Sequence, residues 1–204
     1  DGLIRNAPNS VDALLVKAYT QLRENGSFAA LEYVDRAQQI APEKSYVLRE
    51  YIFALQRTGM ASQSLELAQR HPELLTPAQF RALQADEAAE LVRFSRVTAR
   101  SEAERFVIAD QALSRYDALM KEWATQGEAA APLIRQARID RLQALYSRAY
   151  MSELVREYEA LLAEGVEIPL YSLGDVASAY LYLRQPEKSE AIYNTLIESG
   201  YMRN

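Results

Sequence analysis

Phe106, Ala109, Leu113, Tyr116, Met120 and Trp123 follow one another at steps of 3, 4, 3, 4 and 3 residues. An α-helix places all six on one stripe. Asp110, Ser114, Asp117 and Lys121 fall on the opposite face. Just ahead, Ser101 and Glu104 have the spacing of a capping box, in which hydroxyl and carboxylate each satisfy a backbone N–H of the first turn. The predicted helical stretch spans residues 100–124. At 1.5 Å per residue, roughly 23 residues make about 34 Å, twice the usual length. One such helix cannot bury its apolar face alone, so the rest of the chain must supply partners.

The remaining segments read as helices of the same kind. Residues 9–25 carry Leu15, Ala18, Tyr19 and Leu22 on one stripe, with Asn9 or Ser10 as cap and Gly26 as the breaker. Residues 27–41 follow and end at Pro42. In this second helix Ala30, Val34, Ala37 and Pro42 stand where a tetratricopeptide repeat holds small, bulky, small and closing-proline residues. Residues 45–58 and 61–70 form another pair around Gly59, which lies 33 residues after Gly26, and Ser64 and Leu65 hold the places of Ala30 and Leu31. Thr76-Pro77-Ala78-Gln79 opens a helix to about Arg96, with Thr76 as cap and Gln79 closing the box. The long helix of the 100–124 stretch is its expected partner. Helices through Tyr150, from Ser152 to Ala163, over 170–184 and after Pro186 complete the set, with Ala191 and Ile192 again small then apolar.

The pattern predicts an all-α fold: an α-solenoid of tetratricopeptide-like helix–turn–helix repeats, about ten helices in five antiparallel pairs, with an over-long central pair. We expect a single superhelical domain over residues 1–204. No alternating run of β-branched residues is long enough to suggest a sheet. The segment from Thr76 to Trp123 should be the least repeat-like part.

Chemistry is sparse. The chain has no cysteine, which excludes disulfides, thiol catalysis and cysteine-based zinc sites. A net charge of −5 argues against nonspecific nucleic-acid binding. No apolar run approaches the roughly 20 residues of a membrane-spanning helix. His71, the single histidine, sits at a helix end beside Pro72, where an imidazolium suits the helix C-terminus. Nucleophile-elbow, zinc-protease and phosphate-loop motifs are missing. Asp86, Glu87 and Glu90 gather on one helical face. Such a group is usually solvated; as a pair, Asp86 and Glu90 could also do acid–base work on a sugar. Tyr180 and Tyr182 flank Leu181 and so cannot both face the core. No enzyme activity, cofactor or metal is expected.

Two stretches carry a family resemblance. Residues 98–123, TARSEAERFVIADQALSRYDALMKEW, preceded by ALQADEAAELVRF at 82–94, resemble a long-helix region of the poly-β-1,6-N-acetyl-D-glucosamine (PNAG) export porins, the PgaA/HmsH-like outer-membrane proteins. SAYLYLRQPEKSEAIYNTLI, at 178–197, is similar to their closing repeat, with Arg184 to Glu187 its most distinctive core. The resemblance implies a periplasmic superhelix at the outer membrane, on the same polypeptide as a C-terminal β-barrel, so that this chain is a fragment of a longer protein. It implies work with the periplasmic polysaccharide deacetylase and guidance of the partly deacetylated polymer to the pore. A deacetylated polymer is cationic, and carboxylates in a groove would attract it, while aromatic faces would contact sugar rings. By helical position the candidate polymer- or partner-binding residues are Tyr46, Phe53, Asp86, Glu90, Asp140 and Tyr182. The other reading of the same pattern is a cytoplasmic repeat protein holding a partner's peptide or helix in its groove.

Overall fold

The computed structural model describes residues 9–202. These residues form ten α-helices and two short 3₁₀ turns, with no strand among them. The helices are α1 (Val11–Arg23), α2 (Ser27–Ile40), α3 (Ser45–Arg57), α4 (Ala61–Arg70), α5 (Pro77–Val97), α6 (Glu102–Ala124), α7 (Ala131–Ser147), α8 (Met151–Ala163), α9 (Leu170–Tyr182) and α10 (Pro186–Glu198). Two compact units divide the chain, one up to Glu90 and one from Leu91, and the boundary falls within α5.

Four helix pairs turn through one device. Asn25, Gly59, Ala149 and Arg184 all adopt positive φ, between 59° and 77°. Each lies two residues before the second helix of its pair. The next N–H then reaches back five residues: Gly26 to Gln21, Met60 to Leu55, Tyr150 to Leu145 and Gln185 to Tyr180, each at 2.9 Å. This satisfies carbonyls that a helix end leaves open. Asn25, not Gly26, is therefore the residue that breaks the first helix. From Asn25 to Gly59 is 34 residues, and from Ala149 to Arg184 is 35. The 33-residue interval between the two glycines thus becomes the tetratricopeptide length.

The fourth residue of each following helix is buried: Ala30, Ser64, Leu154 and Ser189. Ser64 Oγ donates to the Ile52 carbonyl and Ser189 Oγ to the Ala177 carbonyl, both at 2.8 Å and both twelve residues back. A serine fits there because its hydroxyl finds an acceptor in the facing helix. In the last pair the small place accordingly belongs to Ser189; Ala191 is exposed.

In the first unit, Leu14, Ala18, Ala30, Val34, Ala37 and Val47 form one core cluster. Ile52, Leu65, Ala68 and Leu83 form another. Thr76 and Gln79 make the predicted box: the Gln79 N–H donates to Thr76 Oγ1 at 3.3 Å and the Thr76 N–H to Gln79 Oε1 at 3.0 Å.

In the second unit, α6 buries Ala109, Leu113, Tyr116 and Trp123 of the predicted stripe, with Phe106 and Met120 half-buried. α7 packs along it. Arg141 of α7 and Arg148 just past its end reach Asp117 and Asp110 of α6 at 2.9 and 2.8 Å. The Arg148 guanidinium also lies 4.5 Å from the Phe106 ring centre. Ser101 caps α6 through the Glu104 N–H at 3.1 Å, while the Glu104 carboxylate accepts from Arg100 rather than from Ser101. At α8 the cap position is Tyr150, with no side-chain cap; Ser152 lies inside the first turn. α5 and α6 have 21 and 23 residues, against 10 to 17 for the other helices, so the central pair is over-long as expected.

Candidate functional site

The structure sorts the sequence-predicted residues by unit. In the first unit, Tyr46, Arg49, Phe53 and Gln56 form one stripe of α3, at steps of 3, 4 and 3. Tyr46 is exposed; its hydroxyl donates to Asp12 at 3.4 Å, and Lys44 lies over its ring. Phe53 is half-buried with the Arg49 guanidinium 5.5 Å from its ring centre. Gln56 Nε2 donates to the exposed carboxylate of Asp86 at 2.5 Å, which joins α5 to that stripe. Glu90 has a different job. Only 6% exposed, it accepts the N–H groups of Ala61 at 3.2 Å and Ser62 at 2.8 Å, and the Ser62 hydroxyl as well. α4 has no side-chain cap of its own, and Glu90 supplies one from a neighbouring helix. Asp86 and Glu90 are thus bonded to different groups and do not form a two-carboxylate centre. Among the described residues no group of three histidine or acidic side chains is placed to hold a metal.

The second unit holds a better-formed site. A cleft of about 530 Å³ opens between α7 and the segment joining α8 to α9. α7 contributes Pro132, Arg135, Gln136 and Ile139; the segment contributes Glu164, Val166, Glu167 and Pro169. The segment takes its path from Gly165, at φ +74°, and from extended Pro169, whose ring cannot continue a helix from Ile168. Arg138 pins the near end: its Nε donates to Glu157 at 2.6 Å and one terminal nitrogen to Glu164 at 2.7 Å. The guanidinium holds the Glu164 carboxyl below the ordinary carboxylate range. Glu167 is exposed and has no partner among the described residues.

One of the predicted residues, Asp140, lies beside this cleft, joined to its lining residue Gln136. Its carboxylate accepts the Tyr171 hydroxyl at 2.8 Å and Gln136 Nε2 at 3.0 Å, and Gln136 also reaches the Tyr171 oxygen. Burial first, then the bond to Asp140, push the Tyr171 phenol up to about 12, so it stays neutral and donating. Its ring remains 42% exposed, which leaves a face to stack on. Tyr182 lies eleven residues further along α9, about 16 Å away by helical rise, and is 71% exposed. As the flanking of Leu181 requires, Tyr180 instead faces inward and bonds Glu159 at 3.0 Å. Chemically, the cleft offers the carboxylates of Glu164 and Glu167, the Arg135 guanidinium and the Gln136 amide, and Gln136 links it to the Tyr171 phenol beside it. Gln136, Glu164, Glu167 and Tyr171 were not singled out from the sequence, where the joining segment reads only as a connector; Ile168-Pro169 was its one signal.

Helix pairs that turn through a left-handed residue 34 or 35 positions apart, with a buried residue at the fourth position of the second helix, define a tetratricopeptide-type solenoid. Solved structures agree. MamA, from residue 41 to its end, of Desulfovibrio magneticus RS-1 superposes with TM-score 0.57 at 13% identity, over 92% of this chain and 93% of that one. A thermophilic TPR protein in Thermus thermophilus gives 0.54 at 16% identity, over 93% and 91%. At such identities the likeness speaks for the fold alone. No protein-family profile matches the chain. In sequence it is 35% identical over 147 residues to the poly-β-1,6-N-acetyl-D-glucosamine export protein of Escherichia coli K12, and equally to that of Escherichia coli O157:H7. The chain is therefore a tetratricopeptide domain related to that export protein. The match takes in 72% of this chain and 17% of the relative's length.

Proposed function

We propose that this domain is a non-catalytic scaffold on the periplasmic face of the bacterial outer membrane, in a system that exports poly-β-1,6-N-acetyl-D-glucosamine. In this reading it docks the periplasmic deacetylase and guides the partly deacetylated polymer toward the outer-membrane pore. The observation that carries the reading is the 35% identity to the export protein over most of the chain. The α7–α9 cleft supports the polymer contact. Its exposed Glu167 and the adjoining Asp140–Tyr171 pair suit a glucosamine unit, the amine toward carboxylate and the ring toward the tyrosine face. Exposed Tyr46, Asp86 and Tyr182, with half-buried Phe53, are further contact candidates.

Two measurements test it. Titration of the domain with the deacetylase should give a complex; no binding at high micromolar concentration sinks the docking claim. Partly deacetylated glucosamine oligomers should bind and lose about tenfold in affinity with Tyr171→Ala, a stacked ring's usual contribution. Equal affinity in the variant removes the cleft from the polymer path.

A further inference from the structure

Inside α9 stands a glycine that the fold does not ask for. Gly174 lies within the helix, where glycine is among the least favourable residues. Gly165 has a φ of +74° to explain it, whereas Gly174 has no positive φ. Nor is a neighbour pressed against it. Beyond its own helix backbone, a Cβ at Gly174 would meet no atom of the described residues within 4 Å. Neither turn geometry nor packing therefore accounts for this residue. What it leaves is bare backbone that a ligand can approach closely.

The bare stretch lies between two exposed tyrosines. Tyr171, Ser178 and Tyr182 follow at steps of 7 and 4 residues, which return to one stripe of the helix, with Gly174 beside it. Between the two rings the strip is low. The Ser178 hydroxyl turns back into its own helix, donating to the Gly174 carbonyl at 2.9 Å, and lies 3.3 Å from the Tyr193 oxygen. Asp175, on the flank, is taken up by Arg96, so the strip offers ring contact and close approach rather than an open charge. At its near end, Tyr171 adjoins the α7–α9 cleft through Gln136.

We propose that α9 is a track for a chain of linked sugar rings. The cleft and Tyr171 take one ring, the strip over Gly174 and Ser178 carries the chain on, and Tyr182 stacks a later ring about 16 Å away. The ligand is a polymer read over several units, not a single glucosamine. The inference rests on the reading of the α7–α9 cleft as a polymer site, to which it adds direction and length. Two contacts on one rigid helix reinforce each other. Once one ring is stacked, the second contact forms intramolecularly, so affinity climbs when an oligomer is long enough to reach both tyrosines.

The test titrates the intact chain with partly deacetylated β-1,6-linked glucosamine oligomers, a disaccharide and a hexasaccharide, followed by NMR. The hexasaccharide should bind at least tenfold more tightly than the disaccharide. Tyr182→Ala should weaken the hexasaccharide about tenfold and leave the disaccharide unchanged, since only the longer chain reaches that ring. Gly174→Leu should weaken the hexasaccharide at least tenfold by filling the strip. Its urea midpoint should stay at or above that of the unaltered chain, leucine being the better helix former. Loss of binding without loss of stability is a result that a purely structural glycine would not give. Hexasaccharide binding that needs Tyr171 but is indifferent to Tyr182→Ala or to Gly174→Leu overturns the track and leaves the cleft reading intact. If neither oligomer binds, the polymer reading itself falls, and the track with it.

Discussion

Ala149 and Arg184 hold a backbone conformation that L-residues avoid, at φ 65° and 61°. A side chain there costs roughly 1–2 kcal/mol, against almost nothing for glycine. Ala149 is exposed, so no packing is lost with its methyl group. Ala149→Gly should raise stability by about 1 kcal/mol in urea unfolding, the relieved strain exceeding glycine's entropic penalty; a lower midpoint contradicts the strain. Arg96 and Asp175 make a second case. Burial pushes the Asp175 carboxyl above the ordinary range, and the Arg96 bonds offset this only in part. A carboxyl raised in the folded state favours folding below its ordinary value of 3.8, and that contribution is lost as pH climbs through the folded value. Arg96→Ala removes the offset and leaves the carboxylate unpaired. With Arg96 itself 37% exposed, the expected deficit is about 2 kcal/mol at pH 7, below the range for fully buried pairs. The deficit should shrink toward pH 4; an equal deficit at both pH values excludes an unpaired carboxylate as the cause.

Among elements, α4 depends on a residue from another helix. Its N-terminal N–H groups are met by Glu90 of α5, twenty-eight and twenty-nine positions further on. Glu90→Ala should cost about 2 kcal/mol, since a charge-assisted cap is lost and the buried Ala61 N–H is left without its acceptor. Glu90→Gln keeps an acceptor and should cost less. Amide hydrogen exchange of Ala61 and Ser62 should accelerate more in the alanine variant than in the glutamine variant; equal rates would mean that the carboxylate is not the cap. The helices themselves were legible from spacing, because a 3–4 rhythm of apolar residues has no other regular solution. Their ends were less so. The shared left-handed turn is occupied by Asn, Gly, Ala and Arg, and only the glycine announces itself. Ser189 was hidden for a related reason: a buried hydroxyl looks polar until the Ala177 carbonyl that accepts it is in place.

At the scale of the molecule, a single repeat domain over residues 1–204 remains our proposal, and the one tryptophan can test it. Trp123 is fully buried in the second unit. Its fluorescence reports that unit, whereas far-ultraviolet circular dichroism reports every helix. Repeats coupled through nearest-neighbour packing should unfold with coincident urea transitions by both probes. Separated midpoints would make the two units independent. The candidate sites also belong to this scale. Asp140 was reached by counting helical positions, but the cleft beside it exists only because the segment between α8 and α9 folds back against α7.

The amino-acid order alone determined the all-α class, the pairing rhythm and the two unusually long helices, because apolar periodicity and turn chemistry act over a few residues. It also carried the resemblance to the export protein. Tertiary structure decided which residue turns each pair, which carboxylate is a cap and which is free, and where clefts open. Those outcomes depend on groups far apart in the chain meeting in space. No local pattern encodes which neighbour a side chain will find.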